Sequence, residues 1–216
     1  MLHKRLDLYL LLSLLLFLLL HPVLDHGLLW RLMLGLLMFV PVTLATIRVS
    51  EIKGWLWPTV LLGSGVFIFT LANAFFPNRA LEGIRWVIMT AFCGLTVVVL
   101  FSFFRSARAV RNVHLYTAVN IYLLLGLLWF GLYSAIEAFY PGSILRSSTA
   151  MADRSTELLY FSLVTLSTIG YGDVVPLNPE VRILAALEGI TGVLYIAITV
   201  ALLVSAYKQP GTSSES

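Results

Sequence analysis

Leu-rich apolar blocks, longer than a buried core helix requires, recur along the chain with only short polar stretches between them. A helix needs about 20 apolar residues to cross the hydrocarbon layer of a bilayer. Six blocks meet or approach that length: Leu6–Leu24, Gly27–Ile47, Trp55–Phe76, Gly83–Phe104, Leu115–Tyr140 and Val181–Tyr207. They predict six transmembrane helices. The stretch Lys208–Ser216 is polar, contains Pro and Gly, and is expected to be a short disordered tail, with no separate soluble domain.

Between the fifth and sixth blocks the pattern breaks. Thr156–Ser167 reads T-E-L-L-Y-F-S-L-V-T-L-S, and a helix of that length rises only about 18 Å, too little to span. Ser155 or Thr156 is placed to cap its start. Thr168-Ile169-Gly170-Tyr171-Gly172-Asp173 follows directly, and Pro176 and Pro179 are expected to stop any helix before the last span begins. A short helix that enters the membrane and returns through a Gly-bearing segment is a re-entrant loop. Non-helical backbone at membrane depth is tolerated only where it is buried in protein or lines a wet cavity. The predicted fold class is therefore an all-α polytopic membrane protein, six transmembrane helices plus a re-entrant helix and loop.

Composition agrees. Hydrophobic residues make up 59% of the chain and charged residues 12%, half of the roughly 25% usual for soluble domains. That excludes a soluble enzyme, a secreted disulfide scaffold and a disordered chain. The lone Cys93 allows no intrachain disulfide. The net charge of +3 comes from basic residues dispersed among apolar helices, a poor footprint for nucleic acid. No metal cluster and no nucleophile with a base stand out, so no enzyme is expected. The basic start His3-Lys4-Arg5 before a Leu run resembles a secretion signal, but His21–His26 offers no small-x-small cleavage site, and the block reads as an uncleaved first helix. With the N-terminus inside, Lys4, Arg5, Arg48, Lys53, Arg105, Arg108, Arg111 and Lys208 lie on the cytoplasmic side. Arg79, Arg85, Arg146, Arg154 and Arg182 lie outside. The bias has the sign expected for cytoplasmic N- and C-termini. Trp30, Trp55, Trp57 and Trp86 stand at span ends, where amphipathic rings favour the interface.

Thr168–Gly172, T-I-G-Y-G, resembles the selectivity filter of potassium channels, with Ile at the more usual Val position. Tyr160–Asp173 is similar, position by position, to the pore helix and filter of the voltage-gated branch, which usually has Trp at the places of Tyr160 and Phe161. Gly192–Ser205 resembles that branch's inner helix, with Gly192 at the hinge glycine and Thr199-Val200-Ala201 where the branch has Pro-x-Pro. The resemblance covers Leu115–Tyr207. It implies six-transmembrane channels with one pore loop per chain, a homotetramer in the lipid bilayer, and K⁺ as permeant ion with no other cofactor. It implies K⁺ ligands at Thr168, Ile169, Gly170 and Tyr171, with Gly172 completing the filter. Gly170 and Gly172 allow the positive φ that points successive carbonyls at one axis. Asp173, Tyr160, Phe161, Thr165 and Ser167 are the implied filter supports, and Ile196, Thr199 and Val200 the implied cavity lining.

Other residues carry two readings. Arg105, Arg108 and Arg111 recur at every third position, as in a voltage sensor. They also fit positive-inside anchoring, which is favoured because they follow the apolar run of the fourth block and because Asp25, Glu51 and Glu82 are expected in loops. Glu188 lies well inside the last block. Ionised and unpaired there it would cost about 2.5–3.5 kcal/mol or more. A structural hydrogen bond to Thr165 or Ser167 is favoured over a gating role. Glu137 is expected to tie the outer helix to Arg182. His21 and His26 flank a turn and are expected to be solvated.

The domain reading is residues 1–110 as a four-helix domain without a clear voltage sensor, 111–207 as the pore domain, and 208–216 as a disordered cytoplasmic tail. The expected function is K⁺ conduction, in the plasma (inner) membrane, through a tetrameric T-I-G-Y-G filter. The alternatives are a non-conducting modifier subunit of a related channel and a weakly voltage-gated K⁺ channel.

Overall fold

The structure, a computed structural model, describes residues 2–22, 37, 40–47, 55–105, 112–146 and 154–207. Its order is α1 (Leu2–Leu20), α2 (residues 40–47), α3 (Leu56–Phe75), α4 (Arg79–Arg105), α5 (Asn112–Phe139), β1 (Ile144–Arg146), α6 (Arg154–Leu166), β2 (Val174–Pro176) and α7 (Pro179–Tyr207). Four helices, α3, α4, α5 and α7, are long and apolar enough to cross a membrane. The apolar part of α1, Leu6–Leu20, is shorter than a full span. Most of the expected second span lies outside the described residues, as do Arg108, Arg111, His26 and the tail.

Local chemistry sets the helix ends. The chain leaves α1 at His21-Pro22, where the proline disfavours helix at the residue before it. The side-chain oxygen of Asn78 accepts from the Ala80 N–H at 2.8 Å and caps α4, so Glu82 lies in the first turn of that helix rather than in a loop. Pro179 does not stop a helix but opens α7, since a proline in the first turn forfeits no intrahelical bond. α6 begins at Arg154, so Ser155 and Thr156 lie within its first turn instead of capping it.

α5 is the hub. It packs against α1, α4, α6 and α7 and buries most of its length. Tyr133 and Phe130 at its centre are fully enclosed, with the Trp86 ring edge-on to Phe130 at 4.7 Å between centroids. Near its start the Thr117 hydroxyl donates to Asp7 Oδ2 at 3.2 Å, and the Asn120 amide donates to the Asp7 carbonyl at 2.8 Å. Asp7 is thus a buried carboxylate on α1, an acid that the sequence reading passed over. Beyond α5 the chain forms β1, turns into α6, and returns through β2, which pairs antiparallel with β1 (Ile144 opposite Pro176). The Asn178 amide donates to Ser143 Oγ at 2.9 Å and extends this clip. The clip closes the loop that carries residues 167–173, so their position is set from both sides.

Candidate functional site

The segment Ser167–Asp173 emerges from the carbonyl end of α6. Four backbone N–H groups turn back onto that end: Ser167 to the Leu163 carbonyl at 3.1 Å, Thr168 to Thr165 at 3.0 Å, and Ile169 and Gly170 both to Val164 at 2.9 and 3.2 Å. These bonds occupy carbonyls that a helix terminus otherwise leaves open. Positive φ then recurs at every second residue: Thr168 (60°), Gly170 (53°) and Gly172 (80°). An extended chain aims successive carbonyls to opposite sides. Left-handed residues at alternate positions rotate the peptide planes between them and let the carbonyls share one side. Glycine adopts this conformation at no steric cost, whereas at Thr168 the surrounding hydrogen bonds must hold it.

The supports expected from sequence are only partly those found. The Tyr160 hydroxyl donates to Asp173 Oδ2 at 2.9 Å, and its ring lies parallel to that of Tyr171, centroids 6.4 Å apart. A tyrosine hydroxyl ordinarily ionises near 10, so Tyr160 is a donor at neutral pH. Asp173 Oδ1 also accepts from the Val174 N–H at 3.1 Å. Phe161 serves elsewhere: it is buried against Tyr133, ring centroids 5.0 Å apart. Thr165 contributes its backbone carbonyl to Thr168, and the Ser167 hydroxyl folds back to the Leu163 carbonyl at 2.7 Å.

Glu188 is completely buried. Its hydroxyl donors are neither Thr165 nor Ser167. Ser162 donates to Oε1 at 2.6 Å and Tyr133 to Oε2 at 2.7 Å. Ser162 also approaches the Gly126 carbonyl at 2.8 Å. The cause of the difference is height. α7 meets α6 about one turn earlier along α6 than expected, because Gly192 lies directly against the end of α6. A Cβ on Gly192 would overlap the Leu166 carbonyl oxygen and come within 2.9 Å of its carbon. Sequence reasoning singled out neither Ser162 nor Tyr133. The available signal was that a buried carboxylate requires hydroxyl or amide donors on the helices it faces.

Glu137 also has partners other than the expected one. Arg182 is exposed and takes no part. Instead Arg154 Nη2 lies 2.5 Å from Glu137 Oε1 and donates to the Ile144 carbonyl at 2.9 Å, while the N–H groups of Gly142 and Ser143 donate to the two Glu137 oxygens at 2.7 and 3.1 Å. The carboxylate fixes the start of α6 to the end of α5. His21 is not solvated but buried at 2% exposure, edge-on to Phe17 and Phe130, with Ser155 Oγ 3.2 Å from Nε2 and Thr156 Oγ1 3.5 Å from Nδ1. Ile196 and Val200 share an exposed face of α7, at 51% and 53%, whereas Thr199, at 7%, is turned into the chain's own interior and does not join them. α7 runs through Gly192 as one continuous helix, so close approach to Leu166 is the visible reason for glycine there.

Residues 121–209 match a family described as "Ion channel". The chain is 31% identical over 96 residues to the inward rectifier potassium channel Kirbac3.1 of Paramagnetospirillum magnetotacticum, covering 44% of this chain and 28% of that one. It is 41% identical over 49 residues to the potassium voltage-gated channel protein shk-1 of Caenorhabditis elegans, covering 23% and 9%. It is 32% identical over 88 residues to the human A-type voltage-gated potassium channel KCND3, covering 39% and 13%. Residues 121–209 are a potassium-channel pore domain. The pore-domain relatives include an inward rectifier as well as voltage-gated channels, a wider set than the voltage-gated branch alone. The chain spans less than a third of the length of each of these relatives. No solved structure matches it. With its apolar helices, the protein is an integral membrane protein.

The contacts among α5, α6 and α7 give two predictions. Glu188→Gln keeps one acceptor, and either hydroxyl can turn to accept from the new amide, so thermal unfolding in detergent should change little. Glu188→Leu leaves the Tyr133 hydroxyl buried without its acceptor and should cost about 1–3 kcal/mol in the same measurement. Gly192→Ala meets backbone rather than a movable side chain, and should lower stability by about 1–3 kcal/mol or more. An alanine variant with an unshifted midpoint would show that α7 does not press on α6 in the membrane.

Proposed function

We propose that the chain forms a K⁺-selective channel in which four copies surround one axis and each contributes Thr168–Gly172 to a common filter. The observation that carries this reading is the alternation of positive φ at Thr168, Gly170 and Gly172 on a loop seated at the carbonyl end of a pore helix. A potassium ion must exchange its hydration shell for a cage of oxygens, and rings of backbone carbonyls supply one. One loop cannot encircle an ion, so closed rotational symmetry among copies completes the ring. Two features of the chain support an assembly. Ile169 and Tyr171 stand 55% and 71% exposed. α7 leaves apolar side chains uncovered on more than one face, including Ile183, Leu187, Val193 and Ile196.

In this reading the carbonyls of Thr168, Ile169, Gly170 and Tyr171 bind K⁺, the exposed face of Ile196 and Val200 lines the cavity, and Gly192 lets the inner helix bend. The termini are cytoplasmic, in the plasma membrane. Asp173 and the Glu137–Arg154 pair lie at the outer mouth. Conduction is passive and involves no enzymatic step.

The decisive experiment is reconstitution of the purified chain alone, with K⁺ and Na⁺ flux measured in the same vesicles. Selective K⁺ flux is expected, and its absence from a well-folded preparation would favour the modifier-subunit reading. Gly172→Ala should abolish selectivity or conduction. Nothing lies within 4 Å of the added Cβ, so the penalty comes from the backbone at φ 80°, about 1–2 kcal/mol in each copy. Intact K⁺ preference in that variant would sink the filter assignment. Tyr160→Phe removes the donor to Asp173 and should shorten the time the filter stays conducting, read as faster decay of K⁺ current under sustained conduction, while leaving the K⁺/Na⁺ ratio of the initial current unchanged.

A further inference from the structure

Glu188, Gly192, Tyr195, Thr199 and Leu202 recur at three- and four-residue spacing and form one stripe along α7. This is the face that α7 turns to its own chain: Glu188 and Thr199 are buried, and Tyr195 and Leu202 pack against the core. Two hydrogen bonds between described residues tie the stripe to α5, one on each side of Gly192. Before Gly192, the Tyr133 hydroxyl donates to Glu188 at 2.7 Å. After it, the Tyr195 hydroxyl donates to the Ala118 carbonyl at 2.6 Å, and the Tyr195 ring lies against that of Tyr122, centroids 5.9 Å apart.

The two ties differ in what surrounds them. The first lies where α5, α6 and α7 meet, beside the Gly192–Leu166 contact. The second holds a stretch with less support, since α7 is the least buried of the four helices able to span. A helical carbonyl keeps a second lone pair after its intrahelical bond, and the Tyr195 hydroxyl takes the one on Ala118. A hydroxyl in apolar surroundings needs such an acceptor, so the bond selects one position of α7 against α5. It also has a direction. α5 stands behind Tyr195 and blocks further movement that way. Ile196 and Val200 face outward from the chain, and displacement toward their side separates the hydroxyl from its carbonyl.

We propose that the Tyr195–Ala118 hydrogen bond is a latch that holds the second half of α7 against α5 and keeps the ion pathway wide. The latch rests on the channel reading above, in which Ile196 and Val200 line the cavity. In a ring of four chains, α7 swinging off α5 carries those two side chains toward the axis and narrows the passage. The swing pivots at Gly192, because Glu188 and the Leu166 contact hold the helix up to that point. Tyr195 is thus a positioning residue. It acts on the width of the pathway below the filter and not on the choice of ion.

The test is Tyr195→Phe in the full chain, which keeps the ring on Tyr122 and removes only the donor. In single-channel recordings the ratio of open to closed time should fall about fivefold or more, as expected for loss of one hydrogen bond per copy, with K⁺/Na⁺ preference unchanged. A second measurement does not need conduction. Spin labels at Leu115→Cys and Val204→Cys, exposed sites on α5 and α7, are placed in chains diluted with unlabelled ones, so that distances within one chain are read. One distance is expected with Tyr195 present, and a second, longer one in Tyr195→Phe. An unchanged open-to-closed ratio in a selective channel, or the same distance distribution with and without the hydroxyl, overturns the latch. Absence of selective flux from the chain with Tyr195 intact counts against the channel reading instead, and the label distances still decide whether Tyr195 holds α7.

Discussion

The contact on which the pore domain depends is the seating of Gly192 of α7 against the last carbonyl of α6. At that point two helix backbones approach as closely as heavy atoms allow, and the residues that follow on α6 are those of the proposed filter. Glu188, one helical turn earlier on α7, locks the approach by accepting hydroxyls from α6 and α5 at once. In hydrocarbon there is little hydrophobic force between helices, so close packing of small residues and shared hydrogen bonds must hold them. Both devices act here within one turn of each other. The inner helix therefore cannot shift without moving Leu166, and through it the left-handed residue Thr168.

The opposite end of the pore helix is held by charge. Arg154, Glu137 and the backbone of residues 142–144 form a compact cluster, and the β1–β2 pairing returns the chain to the same place after residues 167–173. His21 adds a third attachment from α1 to the first turn of α6. A thirteen-residue helix is thus fixed at both ends by different chemistry: polar at its start, and steric with buried hydroxyls further along. In the proposed tetramer this fixing matters, because any tilt of α6 would change the distance of the loop's carbonyls from the shared axis.

Much of the architecture was legible in the chain alone. Block lengths anticipated α3, α4, α5 and α7, the short run after Thr156 anticipated a helix that does not span, and T-I-G-Y-G-D anticipated the positive φ at Gly170 and Gly172. These follow from one-dimensional properties: the thickness of hydrocarbon, the rise of a helix, and the backbone freedom of glycine. The pore-domain family was legible too, because its residues lie consecutively along the chain.

What the sequence left undecided are pairings between helices. That Glu188 needed donors followed from its burial in an apolar block. Which hydroxyls met it depended on the axial offset of α7 on α6, and the Gly192–Leu166 approach sets that offset. Glu137 was expected to meet Arg182, and only the turn after α5 brought Arg154 to it instead. His21 was expected to be solvated and Asp7 was passed over, yet packing of α1 on α5 buried both. Thr199 sits one residue from Val200, and a rotation of about 100° per residue carried it off the exposed face. Sequence fixes what each segment can do by itself. Offset, rotation and partner choice belong to the packed helices, because they arise from the simultaneous fit of several surfaces that no single stretch of chain contains.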